Sequence, residues 1–435
     1  MQYIDNILFV AILGAGIWFF AKNIKTLIRN IKLGKDIDRT DNKPERWKNM
    51  AKIALGQGKM VRRPVSGLLH IVVYVGFILI NIEVLEIVID GIFGTHRIFS
   101  QVLPESVYGF LIGNFEVLAF LVLVAVIIFW IRRNVIKIKR FWKDEMKGWP
   151  KSDGNMILYF EMILMTLFLV MNATDIHFQE MNTGNVISQF IAPLFSGLED
   201  STLHLIERGA WWLHIVGILI FLNYLYYSKH LHILLAFPNT FFANLKPKGQ
   251  FTNDANVTKE VMMMMDPSAD PYAMPEEGAE EEVSTFGAKD VTDLSWVNLL
   301  NAYTCTECGR CTSECPANLT GKKLSPRKVM MDTRDRLEEV GKNMDANNGE
   351  FKDDGKNLFD WITKEEIWAC TSCNACVETC PVNIDPLSII MDMRRYLVME
   401  ESAAPAELNN MMQNVENNGA PWPYNQMDRL KWVDE

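Results

Sequence analysis

The sequence predicts a mainly α-helical chain in two parts, a five-helix transmembrane bundle followed by a helical domain built around cysteines. Three observations predict it. Long apolar runs fill the chain before about residue 240, the loops between those runs alternate between rich and poor in Lys and Arg, and all eight cysteines fall in two short clusters between Cys305 and Cys380. The halves differ so much that averages describe neither. Hydrophobic residues are 49% of the whole but concentrate in the first half, while the acids behind the net charge of -10 crowd into the second. No basic, aromatic-interleaved patch is present to argue for a nucleic-acid partner.

The first apolar run, residues 7–20, lies in MQYIDNILFVAILGAGIWFFAKNIK, with its positive charges after the apolar stretch. A cleaved signal peptide needs its basic region first and a small-residue cleavage site last, so a retained anchor helix with its N-terminus outside is expected. Four more runs follow at residues 65–89, 107–131, 156–173 and 210–227. Each can cross a hydrocarbon core about 30 Å thick at about 1.5 Å per residue. Thirteen Lys or Arg residues lie between the first and second runs and eight between the third and fourth, whereas the other two loops hold almost none beyond Arg97. Basic loops stay on the cytoplasmic side. The expected topology is therefore a multi-pass protein of a bacterial cytoplasmic membrane, N-terminus outside and C-terminal half in the cytoplasm.

These features divide the chain into a membrane domain over residues 1–240, a Met-, Pro- and acid-rich linker over 241–290, a helical cysteine domain over 291–400 and a tail over 401–435. The linker contains VMMMMDPSADPYAMPEEGAEEE, whose composition predicts a strap with little regular structure.

Cys305, Cys308, Cys311 and Cys315, followed by Pro316, spell C-x2-C-x2-C-x3-C-P, and the same spelling recurs at Cys370, Cys373, Cys376 and Cys380, followed by Pro381. Three thiolates on one tight loop grip three irons of a cubane, while the fourth cysteine reaches the other cluster. Two [4Fe-4S] clusters with crossed ligation are therefore expected in a ferredoxin-like domain: one on Cys305, Cys308, Cys311 and Cys380, the other on Cys370, Cys373, Cys376 and Cys315. A zinc ribbon would leave the third cysteine and the repeated Cys-Pro without a role. Clustered cysteines with none left for a disulfide framework also fit a reducing compartment.

Electrons leaving such a domain need a carrier inside the bilayer to reach a membrane-soluble acceptor, and histidines are the candidate ligands. His70 lies about two turns inside the second run, in GLLHIVVYVGF; His214, His230 and His232 lie in WWLHIVGILIFLNYLYYSKHLH. On one continuous helix His214 and His232 share a face at depths about 27 Å apart, with His230 about 160° round. His70 then pairs with His232 around one haem b. A second haem would use His214, and His177 is the candidate partner because Ile80 stands where a second histidine of that run is expected. One or two haems b are thus expected; His96 and His204 read as outer-loop residues. Glu83, Glu86, Glu116, Glu161 and Asp175 lie at membrane depth, where carboxylates often mark proton or quinone routes.

The run TCTECGRCTSECPANLTGKKLSPRKVMMDTRD together with ITKEEIWACTSCNACVETCPVNIDPLSIIMDMRRYLV resembles the heterodisulfide-reductase-like membrane iron-sulfur oxidoreductases, a group that includes electron-transfer-flavoprotein:menaquinone oxidoreductases. The span with His214 and His232, and the GLLH of the second run, resemble the cytochrome b (gamma) subunit of respiratory nitrate reductase. The resemblance implies electrons passing from electron-transferring flavoprotein through two clusters and haem b to menaquinone. Relatives continue into a pair of Cys-Cys-Gly domains, a motif this sequence lacks, so a separate Cys-Cys-Gly-domain iron-sulfur subunit is an expected partner, docking on the cysteine domain and the tail. A rival expectation makes the membrane half a haem-free anchor for a heterodisulfide, thiol-disulfide or 2-hydroxy-acid oxidoreductase. No residue reads as a general acid, base or nucleophile of an evident catalytic site.

Overall fold

The computed structural model describes residues 3–266, 268 and 285–433. Among the described residues the regular elements are helical, apart from one isolated bridge between Lys35 and Ser295. Five helices are long and apolar enough to cross a membrane: α1 (Ile4–Ile31), α2 (Pro64–Phe93), α3 (Glu105–Asn134), α4 (Trp149–Thr174) and α5 (Asp200–Tyr224), the last carried on to Tyr227 by a 3₁₀ turn. All outrun the apolar cores that the sequence marks, because a helix continues into polar flanks wherever those flanks find partners.

Contacts close the five into a ring: α1 on α2, α2 on α3, α3 on α4, α4 on α5, and α5 back on α1. Consecutive spans run antiparallel, which leaves α1 and α5 parallel. Without a hydrophobic force between helices in lipid, close approach at small residues must supply the packing. A Cβ on Gly76 of α2 would come within 2.5 Å of Val122 of α3, and one on Gly91 within 2.6 Å of the Phe9 ring of α1. Tyr108, Ile112, Phe115 and Ala119 of α3 face the ring interior, fully buried or nearly so.

Four further helices build the cysteine domain: α6 (His232–Phe241), α7 (Trp296–Thr304), α8 (Pro326–Ala346) and α9 (Pro386–Met399). Ser295, Ser325 and Asp385 cap α7, α8 and α9 by accepting from the amides of Asn298, Lys328 and Ser388, and Pro326 and Pro386 occupy first-turn positions that need no donor. Arg336 of α8 is fully buried and donates to both Asp290 and Asp354, tying the segment before α7 to the loop after α8.

The linker departs in part from its compositional reading. Residues Ala255–Met265 form a helix with Met262, Met263, Met264 and Met265 exposed, since the run from 255 to 265 contains neither Gly nor Pro and is rich in good helix formers. The acidic stretch expected to be an irregular strap lies at 267 and 269–284, outside the described residues. In the tail, Ala406–Asn418 is helical and Trp422, Met427 and Trp432 are exposed.

The polar end of α1 joins the two halves. Asn30 donates to Tyr303 of α7 at 3.1 Å and also lies where a Cβ on Gly341 of α8 would sit, while the Lys35 amide donates to Leu294 at 2.7 Å and the Trp296 amide donates to the Lys35 carbonyl at 3.1 Å. A Cβ on Gly34 would stand 2.6 Å from the Trp296 nitrogen and 2.8 Å from the Leu294 carbonyl oxygen, both backbone atoms that cannot swing aside. Gly34→Ala is therefore expected to cost about 1–3 kcal/mol and to loosen this junction. Thermal unfolding in detergent, with limited proteolysis between residues 31 and 43, checks it; an unchanged midpoint and cleavage pattern would show that the junction tolerates a side chain.

Candidate metal centres

Each cysteine motif begins as a loop of left-handed residues. Glu307 (φ 52°) and Gly309 (φ 70°) flank Cys308, and Ser372 (φ 56°) and Asn374 (φ 59°) flank Cys373, so the sequence repeat is also a conformational one. Such residues turn backbone amides inward to form an anion-binding concavity. The Ser372 amide donates to Cys370 Sγ at 3.4 Å, and the Ile384 amide to Cys380 Sγ at 3.3 Å. Proline after the fourth cysteine of each motif turns the chain away at once.

The fold then exchanges the fourth cysteines between the motifs. Cys305, Cys308, Cys311 and Cys380 line one cavity together with Gly309, Arg310, Arg327, Met330 and Cys376. Cys315 is instead an electrostatic neighbour of Cys370 and Cys376, and Cys370 of Cys373. Burial pushes the Cys305 thiol up to about 12 and the Cys380 thiol up to about 11, and pushes Cys311 and Cys376 up in the same direction. Buried thiols that are neutral alone and crowd together make a donor set suited to iron, which takes them as thiolates. Each set has two buried cysteines, Cys305 and Cys380 in one and Cys315 and Cys376 in the other, and Cys373 of the second set is exposed.

The histidines are brought together differently from the expectation. A continuous helix from His214 to His232 does not exist: α5 ends at Tyr224, Ser228 is extended, and α6 starts a new helix at His232. Asp153 of α4 makes the break by accepting from Tyr224 Oη at 2.6 Å and from the Lys229 amide at 3.1 Å. His214 and His232 therefore do not share one helical face, and it is the turn that sets the His232 ring against His70, with centroids 6.5 Å apart. Two imidazoles on one metal, each with a metal–nitrogen bond of about 2.0–2.1 Å, have centroids at most about 6.3–6.5 Å apart, so this pair stands at the upper end of that reach.

The free ring nitrogens fit that use. His232 Nδ1 bonds the Lys229 carbonyl at 3.0 Å, which leaves Nε2 with its lone pair, and His70 Nδ1 is buried without a partner. Burial lowers the His232 imidazole and drives His230, packed on Phe221, down to about 3, so both are neutral. His214 is buried with Nδ1 on the Leu164 carbonyl at 3.0 Å and its ring beside Phe168. His177 is not brought to it; the short helix Ile176–Glu180 leaves His177 exposed, its ring 6.3 Å from His96.

Most of the membrane-depth acids serve structure at the far end of the bundle. Arg97, itself buried, donates to Asp175 at 2.6 Å and Asn172 at 2.8 Å; Glu116 accepts from the Ile187 and Ser188 amides and from Asn172; Glu86 accepts from the Phe99 amide at 2.7 Å. Glu83 keeps one buried oxygen without a partner. His96, Asp175 and Glu207 approach one another closely, but Arg97 and Arg208 already face the two carboxylates.

Residues that the sequence reading missed lie at the junction. Lys229 bridges Asp153 of α4 and Glu307 of the first cysteine loop, and Glu307 also accepts from Arg334 at 2.8 Å. Arg327 donates to Glu145 at 2.7 Å and to the Arg140 carbonyl at 2.6 Å, and Arg310 to the carbonyls of Lys59 and Met60. Nothing in their spacing marks them, because their partners are more than a hundred residues away in most cases.

Raised thiol values carry a sign. Each buried cysteine that takes iron must release a proton, so reconstitution of iron and sulfide into the apo chain should release protons and improve steadily from pH 6.5 to 8.5. Proton release in a weakly buffered reconstitution measures it, and a yield independent of pH would contradict buried neutral thiols.

Residues 304–384 match the 4Fe-4S dicluster domain family. Over most of its length the chain is similar to the probable iron-sulfur-binding oxidoreductase FadF of Bacillus subtilis, 28% identical over 99% of this chain and 61% of that protein. It is also similar to the EtfAB:quinone oxidoreductase of Syntrophomonas wolfei, 26% identical over 92% of this chain and 55% of that protein. A probable membrane-anchored ferredoxin of Chromohalobacter salexigens is 32% identical over 34% of this chain and 24% of that protein. The chain thus spans about three fifths of the first two relatives. No solved structure matches it. Five candidate spans, eight cysteines in two motifs and these likenesses make the chain a multi-pass, membrane-anchored 4Fe-4S dicluster protein, related to FadF and to EtfAB:quinone oxidoreductase.

Proposed function

We propose that this chain is the membrane electron-transfer subunit of a quinone oxidoreductase complex, with its ferredoxin-like domain in the cytoplasm and its N-terminus outside. The observation that carries the reading is the His70–His232 pair, 6.5 Å apart, at the end of the bundle where Arg310 of the first cysteine loop bonds the carbonyls just before α2. His70 and His232 would hold a haem b, which when bound supplies a one-electron carrier inside the bilayer beside the two clusters. Basic loops at this same end of the bundle support the orientation. The relative named EtfAB:quinone oxidoreductase supports electron-transferring flavoprotein as donor and a quinone as acceptor; menaquinone follows from the resemblance stated above, as does a Cys-Cys-Gly-domain partner subunit.

The chain's own residues hold and insulate the carriers. Cys305, Cys308, Cys311 and Cys380 would bind one cluster, and Cys370, Cys373, Cys376 and Cys315 the other. Exposed Cys373 puts the second cluster where a soluble donor can approach, and Glu307 and Arg310 of the first cysteine loop bond Lys229 and the Lys59 and Met60 carbonyls at the foot of the bundle, which makes the first set the membrane-side one in this reading. The neutral state of His232 suits ligation, since a protonated imidazole has no lone pair to give. His214, its Nδ1 on the Leu164 carbonyl, remains the ligand for a second haem in this reading, and His177, the partner expected for it, is exposed with its ring beside His96.

Two measurements test this. A dithionite-reduced minus air-oxidised spectrum of the purified chain, with a pyridine-haemochrome count, should show b-type haem that His70→Ala and His232→Ala each abolish while iron-sulfur content stays. A haem-free protein that retains its clusters would remove the transmembrane route and favour the anchor reading. Separately, Cys380→Ala should erase the same EPR signal as Cys308→Ala, and Cys315→Ala the same as Cys373→Ala, each leaving about half of the iron and sulfide. Pairing of Cys380 with Cys373 in that comparison would overturn crossed ligation.

A further inference from the structure

Arg327 has an unusual combination of properties. Its side chain is fully buried, it lines the cavity of Cys305, Cys308, Cys311 and Cys380, and its Nε has no hydrogen-bond partner. The rest of the guanidinium is fixed: one terminal nitrogen donates to the Arg140 carbonyl at 2.6 Å and the other to Glu145 at 2.7 Å. Gly309 leaves room for it, since a Cβ there would stand 2.5 Å from Arg327 Nη1. A buried donor left unpaired costs about 1–3 kcal/mol, so an acceptor is to be expected in the cavity.

The arginine beside the other cysteine set is held differently. Arg394, its neighbouring guanidinium, is engaged at every nitrogen, by the carbonyls of Ile367 and Cys370 and by Ser372 Oγ, and the Asp385 carboxylate lies in the field of Cys376. Arg310, by contrast, adds a second guanidinium to the wall of the first cavity.

We propose that Arg327 is a positioning residue for the membrane-side cluster, donating its Nε–H to a sulfur of the cluster held by Cys305, Cys308, Cys311 and Cys380 and raising that cluster's reduction potential. Reduction adds one negative charge to a centre that is already anionic; a hydrogen bond to sulfur and a positive charge on the wall both favour the reduced form. The inference rests on the two-cluster reading above and makes the membrane-side cluster the preferred seat of the electron before it leaves the domain.

The test is a potentiometric titration of the full-length chain followed by EPR, with the two signals assigned by the Cys308→Ala and Cys373→Ala variants. Arg327→Lys keeps a cation for Glu145 but has no Nε–H. It is expected to shift the reduced-to-oxidised ratio of the membrane-side cluster about tenfold toward oxidised at fixed potential, about 59 mV for one electron, with the other cluster unmoved. Glu145→Gln keeps Nε and should leave the potential within a third of that shift. An unchanged potential in Arg327→Lys with full iron content, an equal shift of both clusters, or an equal shift in Glu145→Gln would overturn the proposal.

Should Arg327→Lys fail to assemble its clusters, wild-type chain labelled with ¹⁵N-arginine decides the matter. Pulsed EPR of the reduced membrane-side cluster should show a ¹⁵N coupling and an exchangeable proton; absence of both would overturn the hydrogen bond. Neither readout needs haem or quinone, so a failure here leaves the transmembrane reading intact, and a haem-free protein leaves this inference testable.

Discussion

A buried chain of charge, Asp153–Lys229–Glu307–Arg334, governs how the two halves of this protein meet. Lys229 and Glu307 are 9% and 2% exposed, and Asp153 is equally enclosed, so water screens none of them effectively. Taking such ions out of water costs several kcal/mol apiece, and their attraction offsets that only when every partner is in place. Here they are: Lys229 also donates to the Pro150 carbonyl, and although burial pushes Glu307 up, Lys229 and Arg334 outweigh it and hold its carboxyl below the usual range. The interaction therefore stabilises little on balance but penalises any other docking heavily, because a shifted domain would strand a charge. Glu307 lies within the first cysteine loop, so the same constraint that seats the domain also sets where its metal centre stands relative to the bundle.

The break between α5 and α6 follows from it. Asp153 accepts from Tyr224 and from the Lys229 amide, capturing the chain where a straight helix would have carried His232 onward along the axis of α5. Instead the chain turns, and the new helix delivers His232 beside His70 while α6 packs on α7. Histidine pairing, domain seating and the position of the cysteine loop are three results of one set of contacts. Arg327 and Arg310 extend that logic, since each reaches from the cavity wall to a loop at the foot of the bundle.

The far end of the bundle solves a different problem with similar chemistry. Backbone amides of loops near lipid must find acceptors, and Glu86, Glu116, Asp90 and Asp175 provide them, with Arg97 balancing charge among them. Of the five acids that look like a proton route when only depth is known, partners mark Glu86, Glu116 and Asp175 as structural, whereas Glu83 keeps a buried oxygen without a partner and Glu161 stays outside this network.

What the amino-acid sequence determined by itself is what local pattern encodes. Apolar length marks five spans because lipid demands it over a fixed thickness, and C-x2-C-x2-C-x3-C-P marks cysteine loops because a cubane demands thiolates at that spacing. The repeat also raises the expectation that Cys315 and Cys380 change places, and the fold sets Cys380 in the cavity of Cys305, Cys308 and Cys311. The tertiary structure alone decided the rest. The route that brings His232 to His70 is a turn that helical periodicity does not show, His177 packs its ring on His96, and Lys229, Glu307 and Arg327 become important through partners distant in the chain. The physical reason is common to all three: periodicity holds only while one helix continues, and a buried charge is defined by what faces it, which no single stretch of sequence records.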